Sequence, residues 1–254
     1  MTAKGIVREA FRRIGYRVEG TRYTPRHLFE PDLVRLLEFD DVVCRRLFET
    51  PAPWTFVQIG AFDGVANDPL RRFIARGGWR GVMLEPQPSL VHQLRDLYRG
   101  DDQIVVVAAA LDGERGQRSL YTVDAEGLPA WTGQIASFDR AHVEKHQHLV
   151  PDIAARIREL TVECITFDDV LDKLPPHRLD LLQIDAEGAD GYLISLFPFQ
   201  RLRPAIVHWE AKNMTKSQQE ATLDQLCGLG YRICRSGAED MLAIDAAEPS
   251  QRPH

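Results

Sequence analysis

The segment Phe56–Asp68, FVQIGAFDGVAND, constrains the fold of this chain more than any other feature. It is an apolar run that stops at a glycine and an acid. A second apolar run, Gly81–Pro86, ends in Glu85 about one short helix later. A glycine-rich turn after one parallel strand lets the backbone approach a ligand, and a carboxylate after the next strand can accept both hydroxyls of a ribose. The two runs together predict a nucleoside site in an α/β sheet.

The turn Gly60–Gly64, GAFDG, does not suit a dinucleotide. A dinucleotide site uses G-x-G-x-x-G so that a helix N-terminus can hold the pyrophosphate, whereas Asp63 would repel that group. A cationic cofactor without phosphate suits the turn better, and S-adenosylmethionine (SAM) carries an ammonium, a sulfonium and a ribose diol. Taken alone, the turn is equally typical of close packing between a strand and a helix, and an acid before Pro86 can simply end a strand.

Five further segments follow the first one along the chain. They are GVMLEPQPSLVHQL, IASFDRAHVEKH, LTVECITFDDVL, LDLLQIDAEGADGYLISL and PAIVHWEAKNM. Together with FVQIGAFDGVANDPL they resemble, in the same order, the FkbM-type SAM-dependent methyltransferases. The resemblance covers residues 54–245, and its most specific part is IDAEGADGYLI at Ile184–Ile194. Ala186 departs from the family, which more often has Val or Thr there, and the N-terminal region resembles no family.

The resemblance implies a fold and an activity. The implied fold is α/β: a Rossmann-like class I methyltransferase fold with a mostly parallel seven-stranded sheet, helices on both faces and an antiparallel terminal strand. The implied activity is SAM-dependent O-methylation of a sugar, oligosaccharide, glycolipid or glycosylated natural product. The acceptor is thus a small molecule or a glycan.

Apolar runs and turn residues along the chain predict its organisation. We predict an N-terminal helical appendage at residues 1–53, a methyltransferase domain at 54–246 and a polar tail at 247–254. Between 112 and 160 the alternation of strands and helices breaks in a glycine-rich stretch, which we interpret as an irregular substrate lid. The predicted strands are Phe56–Gly60, Gly81–Glu85, Ile104–Leu111, Leu179–Ile184, Ala205–Glu210, Tyr231–Arg235 and Met241–Ile244. The predicted helices are Pro31–Glu49, Asp68–Arg76, Ser89–Tyr98, Ser217–Gly228 and one that Thr166 caps.

Charge and composition narrow the partners and the compartment. With 31 Lys and Arg against 37 Asp and Glu, the chain has a net charge of −6, which argues against nucleic acid as a partner. It lacks an apolar run of membrane-spanning length and an N-terminal secretory signal, so we predict a cytoplasmic location. The basic amphipathic helix expected in residues 1–27 could touch an anionic membrane surface, but an apolar stripe more often packs on its own fold or on a second subunit. A homodimer is therefore predicted.

Acidic residues follow four of the predicted strands. Asp63 follows the first, Glu85 the second, Asp185 and Glu187 the fourth, and Glu210 ends the fifth. Because the carboxyl ends of parallel strands meet at one edge of a sheet, these acids should converge and repel one another unless a cation is present. Oxygen ligands suit Mg²⁺ or Mn²⁺. We predict a metal site formed by Asp185 and Glu210, with Glu187 either as a third ligand or as an acid at a helix N-terminus.

Transfer of a methyl group to a hydroxyl needs a base or a metal, because a protonated hydroxyl is a poor nucleophile. Two histidines are candidate bases. His146 lies in the predicted lid, where the family pattern resembles S-F/L-D-R…H, and His208 lies on the fifth predicted strand. His146 could instead be a surface residue, and His208 a core histidine. The predicted catalytic residues are His146, Asp185 and His208. The predicted cofactor-binding residues are Gly60, Ala61, Phe62, Asp63, Asn67, Glu85, Pro86, Gln87, Ala109 and Asp185.

Two other functions compete with O-methylation. The first is a methyltransferase that acts on an amine of a protein or nucleic acid. Enzymes of this kind that methylate exocyclic amines of bases carry an Asn/Asp-Pro-Pro-aromatic turn after the fourth strand, whereas this chain has IDAEGAD there. The second competitor is a non-catalytic SAM- or nucleoside-binding module that regulates a partner through its N-terminal helices. Joint presence of His146, Asp185 and Glu210 favours an enzyme.

Overall fold

A computed structural model describes residues 37–50, 53–150, 152–176 and 178–246. The predicted basic helix in residues 1–27 and the predicted tail at 247–254 lie outside these residues. The described residues form two sheets, one of seven strands and one of four. Among the residues described, no helix is long and apolar enough to cross a bilayer.

The seven-stranded sheet has the order β10-β11-β9-β8-β1-β2-β3. Five successive strands of this order, β9, β8, β1, β2 and β3, are parallel to one another. The strand β11 is antiparallel to both of its neighbours, β9 and β10. The mostly parallel sheet with an antiparallel terminal strand is therefore confirmed. Its strands are β1 (Trp54–Ile59), β2 (Trp79–Leu84), β3 (Ile104–Val107), β8 (Leu181–Ile184), β9 (Ile206–Glu210), β10 (Tyr231–Ser236) and β11 (Asp240–Asp245).

The four-stranded sheet, in the order β4-β7-β5-β6, corrects two predictions. The stretch predicted as one strand at Ile104–Leu111 divides between the two sheets. The insertion at 112–160, hereafter the cap, is built around an antiparallel pair of β5 and β7 rather than being irregular. The glycines of the insertion lie before and between these strands, and only Gly116 is among the paired residues, so the stretch was interpreted as irregular although the strands pair over eight residues. The strands of this sheet are β4 (Ala110–Leu111), β5 (Gly116–Val123), β6 (Ala136–Ser137) and β7 (Ile157–Ile165).

Helices cover the large sheet and complete the cap. The predicted helix at Asp68–Arg76 is shorter than expected, because Asp68 accepts a hydrogen bond from the Leu70 amide in a turn before the helix begins. The predicted helix cap at Thr166 is confirmed, and Asp169 completes a capping box with it. The helices are α1 (Phe39–Glu49), α2 (Arg71–Ile74), α3 (Pro88–Leu97), α4 (Arg140–Glu144), α5 (Ile153–Arg156), α6 (Phe167–Leu171), α7 (Asp190–Leu196) and α8 (Lys216–Gly228), with 3₁₀ turns at Ala130–Gln134 and Lys145–His148.

Two apolar clusters lie on the two faces of the large sheet. The helix α1 belongs to one of them: Phe39 packs edge-on against Phe73 and stacks on the His208 ring at 4.5 Å. The Phe39 amide donates to the Ser236 hydroxyl, which ties α1 to β10. Thus α1 is packed on the domain. Phe48, at the other end of the helix, is 91% exposed.

Candidate active site

A cavity of about 460 Å³ opens at the carboxyl ends of β1, β2 and β8. This is the edge at which open α/β sheets bind ligands, and the volume suits a small molecule or cofactor. Cap residues, among them Gln134 and Phe138, form one wall of the cavity. The cap therefore borders the cavity, and its role as a substrate lid stays a prediction. Of the predicted cofactor-binding residues, the cavity is lined by Gly60, Ala61, Phe62, Asn67, Glu85, Pro86, Gln87, Ala109 and Asp185.

The Gly60 turn is pressed against the end of β8. Gly60 has a φ of +76°, and a Cβ built there would lie 1.9 Å from the Asp185 carbonyl oxygen. The amides of Gly60 and Ala61 both donate to the Leu84 carbonyl. Only glycine fits this position, since a side chain would collide with backbone and would strain the φ angle.

Asp63 serves the turn rather than the cavity. Its Oδ1 atom accepts the amides of Val65 and Ala66 at 2.8 Å each, and the residue does not line the cavity. The structure thus places Asp63 apart from the other predicted cofactor residues. The sequence could not reveal this, because an acid in a glycine-rich turn fits either role.

Glu85 is buried at the end of β2, and backbone amides fix both of its oxygens. Oε2 accepts the Phe62 amide and Oε1 the Gln87 amide, each at 3.0 Å. Burial raises the pKa of Glu85 to about 7, although the two amide bonds act in the opposite direction. A carboxylate oxygen has a second lone pair, so Glu85 can also accept two ligand hydroxyls.

Gln58 and Asp68 form a pair that the sequence argument did not single out as a site. The Gln58 amide donates to Asp68 Oδ1 at 3.2 Å. The remaining oxygens, Gln58 Oε1 and Asp68 Oδ2, are buried without a hydrogen-bond partner among the residues described, and both residues line the cavity. Burial raises the pKa of Asp68. Two buried acceptors beside a cavity favour a ligand with hydrogen-bond donors.

The three predicted metal ligands do converge. One carboxylate oxygen from each of Asp185, Glu187 and Glu210 lies within 4.8 Å of the others. Asp185 is exposed to the cavity but surrounded elsewhere by protein, and this desolvation together with the charges of Glu210 and Asp190 raises its pKa well above the usual value. Glu187 has a φ of +47°, which is uncommon for a residue other than glycine. The cluster can bind a cation or accept a proton.

Donors from two segments, the residues after β9 and the cap, surround this cluster, and sequence reasoning missed all of them. Lys212 Nζ lies 2.5 Å from Glu210 Oε1. Burial alone would lower the pKa of Lys212, but this ion pair raises it overall. Asn213 donates to both Glu187 and Glu210. From the cap, Lys145 donates to Asn213 and His142 Nε2 lies 3.7 Å from Glu187 Oε2. Lys212 and Asn213 follow Glu210 in the segment HWEAKNM, which was the one available signal.

The structure does not bring the two predicted histidine bases to the cavity. The Nδ1 atom of His146 lies 3.1 Å from the His142 carbonyl oxygen. Burial lowers the pKa of His146, and the nearby charge of Lys145 lowers it further. His208 is 3% exposed, and its Nδ1 atom lies 2.5 Å from Gln183 Oε1. Burial lowers the pKa of His208 to about 3. Neither residue lines the cavity. His208 is a core histidine because its strand position faces α1, and the cap histidine nearest the acids is His142.

Comparison with known proteins places the chain in a family. The family model of the methyltransferase FkbM domain matches residues 58–233, more than half of the chain. No protein of curated function matches the sequence. A structure of a methyltransferase FkbM from Methylobacillus flagellatus KT is 14% identical with a TM-score of 0.45, covering 75% of this chain and 43% of that one. The chain thus spans less than half the length of that relative.

Two further structures are similar at lower identity. The precorrin-6y C5,15-methyltransferase of Geobacter metallireducens GS-15 is 13% identical with a TM-score of 0.41, covering 88% of this chain and 100% of that one. An rRNA methylase from Streptococcus thermophilus is 9% identical with a TM-score of 0.40, covering 83% and 96%. The family match, with the sheet order above, gives the identity: the chain belongs to the FkbM methyltransferase family and has its Rossmann-like class I fold, and this membership implies SAM as the methyl donor.

Proposed function

We propose that this chain is a SAM-dependent O-methyltransferase acting on a hydroxyl of a sugar, oligosaccharide, glycolipid or glycosylated natural product. One observation carries the proposal. One cavity is lined by Gly60 and Glu85, the residues we assign to the nucleoside of SAM, and by the acidic cluster of Asp185, Glu187 and Glu210. SAM supplies an electrophilic methyl group when bound. The acceptor class follows from the resemblance in sequence.

The residues present fit this cofactor. Glu85 offers lone pairs for the two ribose hydroxyls, and the Gly60 turn presents backbone without side-chain bulk. The unpartnered oxygens of Gln58 and Asp68 would accept from the ammonium group. Each assignment uses a group that the described part of the protein leaves available.

Asp185 is the residue that we assign to accept the proton from the acceptor hydroxyl. Its carboxylate is exposed to the cavity, whereas Lys212 and Asn213 engage Glu210 and Asn213 engages Glu187. A base in direct reach of the acceptor contributes to the chemical step by removing the proton as the bond to the methyl carbon forms. This assignment replaces His146 and His208, which lie outside the cavity.

A divalent cation is the finer part of the proposal. Asp185, Glu187 and Glu210 would hold Mg²⁺ or Mn²⁺, which would lower the pKa of a hydroxyl at the site. Two ligand oxygens of one Mg²⁺ lie at most about 4.2 Å apart. The three carboxylate oxygens lie within 4.8 Å of one another, which is close to that spacing. Lys212 already neutralises part of the negative charge at Glu210.

The test combines binding with turnover. Calorimetry should show SAM binding to the wild-type protein, and release of S-adenosylhomocysteine should follow with at least one sugar of a panel. Dialysis against EDTA should abolish turnover, and Mn²⁺ should restore it. Binding without turnover on any acceptor would instead support a non-catalytic module, and full activity in chelator would remove the metal. Cytoplasmic location, a homodimer and the exclusion of nucleic acid are kept as predictions from the sequence.

A further inference from the structure

The side-chain amide of Asn213 joins three separate parts of the molecule. Its Nδ2 atom donates to Glu187 Oε2 at 2.9 Å and to Glu210 Oε2 at 2.8 Å. Its Oδ1 atom accepts from Lys145 Nζ at 2.8 Å. Glu187 follows β8, Glu210 ends β9, and Lys145 belongs to the cap.

The bonding capacity of this amide matches its surroundings. An Asn side chain has two N–H donors, and here each donor serves one carboxylate. Two neighbouring carboxylates repel one another, and a bridging donor pair offsets that repulsion through charge-assisted bonds. The carbonyl oxygen faces the cap ammonium. No other residue type of this size offers two donors and an acceptor in that arrangement.

The loop that carries Glu187 needs such support. Glu187 has a φ of +47° and the next residue, Gly188, a φ of +99°. A Cβ on Gly188 would lie 3.3 Å from His142 of the cap and 3.4 Å from Asn213. The loop is thus confined between the cap on one side and Asn213 on the other. A backbone in a sparsely populated conformation persists only where its surroundings hold it.

We propose that Asn213 is a positioning residue that couples docking of the cap to the spacing of the Glu187 and Glu210 carboxylates. The inference rests on the proposed function in that these carboxylates border the reaction. Lys145 is the cap side of the coupling, and the two carboxylates are the sheet side. When the cap encloses an acceptor, its contact with Asn213 would also fix the distance between the Glu187 and Glu210 carboxylates.

Two variants separate the two sides. Asn213→Asp keeps an acceptor for Lys145 but replaces both donors with a third negative charge. Lys145→Met removes the cap bond and leaves the two donations of Asn213 in place. Lys145→Arg restores a donor, and Lys216→Met is the matched control, because Lys216 makes an exposed ion pair with Glu220 on α8.

Amide hydrogen exchange of the full-length protein with S-adenosylhomocysteine measures both sides. In Asn213→Asp we expect the loop amides of residues 186–189 to exchange about tenfold faster or more while the amides of 140–150 stay unchanged. In Lys145→Met both segments should exchange at least about threefold faster, and Lys145→Arg should restore them. The amides of β1 should be unchanged in every variant, which separates positioning from general destabilisation.

Turnover gives a second measurement. With any sugar that supports it, Asn213→Asp should lower kcat about tenfold or more and leave the affinity for S-adenosylhomocysteine unchanged. Wild-type exchange of residues 186–189 in Asn213→Asp, or loop exchange unaffected by Lys145→Met, would overturn the coupling. If no sugar is methylated, the proposed function fails, but the exchange comparison still decides the role of Asn213, because it requires neither acceptor nor metal.

Discussion

The two ends of the cavity are built in different ways. At the end beside β1 and β2, backbone amides fix Glu85, and a glycine presses against backbone. At the end beside β8 and β9, charged side chains from several segments hold one another, with Lys145 reaching in from the cap. Backbone placement requires only local sequence and forms with the sheet. Side-chain placement depends on the docked cap, so the second end is the one that can respond to a ligand.

Replacement of Gly60 should give the largest effect and tests whether the first end is truly set by backbone. Gly60→Ala places a Cβ within collision distance of the Asp185 carbonyl, so we expect folding to lose about 3 kcal/mol or more. Gly77→Ala is the control, because Gly77 has a similar φ of +80° and a Cβ there would meet no described atom within 4 Å. Urea unfolding measures both. Equal losses in the two variants would show that φ strain alone, and not contact with β8, matters at Gly60.

Removal of the Asp185 charge should separate chemistry from cofactor binding. Asp185→Asn should lower kcat about 10²-fold or more, as expected for loss of a general base, with little change in the affinity for S-adenosylhomocysteine. Because the base must be ionised, the wild-type rate should fall as the pH drops. His146→Ala is the comparison and should retain most of the activity. If His146→Ala loses most of its kcat and Asp185→Asn loses none, His146 of the cap is the base and Asp185 is not.

Truncation of Glu85 should affect binding rather than the chemical step. Glu85→Ala should weaken SAM binding by about 2 kcal/mol, since charge-assisted hydrogen bonds to the ribose are lost. Calorimetry measures the change. An unaltered affinity would remove Glu85 from the cofactor site and leave it as a support for the Gly60 turn.

The pH dependence of binding gives a finer test of the same residue. Glu85 has a raised pKa of about 7, and ligand hydroxyls donate to its ionised form. Affinity should therefore be full above pH 7 and fall below it, with the Kd of S-adenosylhomocysteine rising about tenfold between pH 8 and pH 6. In Glu85→Gln this slope should disappear. A slope retained in that variant would belong to another acid of the cavity.

The smallest effect concerns the strained loop at the second end. Glu187→Gly removes a side chain from a backbone position with φ of +47°, so the free energy of unfolding should change by no more than about 1 kcal/mol. Activity should nevertheless decline, because one of the three clustered carboxylates is gone. Urea unfolding beside turnover measures the two. A marked loss of stability would mean that the Asn213 contact outweighs the backbone strain.

The sequence predicted the first end of the cavity better than the second. The Gly60 turn and Glu85 follow directly from strands that the apolar pattern reveals, so their position depends on neighbours in the chain. Asp185, Glu187 and Glu210 were also expected to meet, because parallel strands end at one edge. His142, Lys145 and Asn213 were not foreseen, since their contacts depend on how the cap folds back. The pairing of β5 with β7, around which the cap is built, was not predicted either.

The positions of the two predicted histidine bases show the same limit. His208 alternates on its strand as a buried residue should, and only the position of α1 decides that its ring stacks on Phe39 instead of facing a ligand. His146 and His142 lie one helical turn apart, so the sequence could not say which one turns towards the acids. Asp63 could not be assigned for a related reason: its partners are amides two and three residues ahead in its own turn.

The position of β11 limits how this protein could be recombined with its relatives. The strand lies between β9 and β10, yet it follows the segment 58–233 that the family model matches. Exchange of that segment alone would pair a foreign β9, and a β10 that is foreign only up to residue 233, with the native β11. It would also place a foreign counterpart of His208 against the native Phe39. A functional chimera would therefore need its crossover points before residue 39 and after residue 245. The helix α1 and the strand β11 would then come from the same parent as the rest of the sheet.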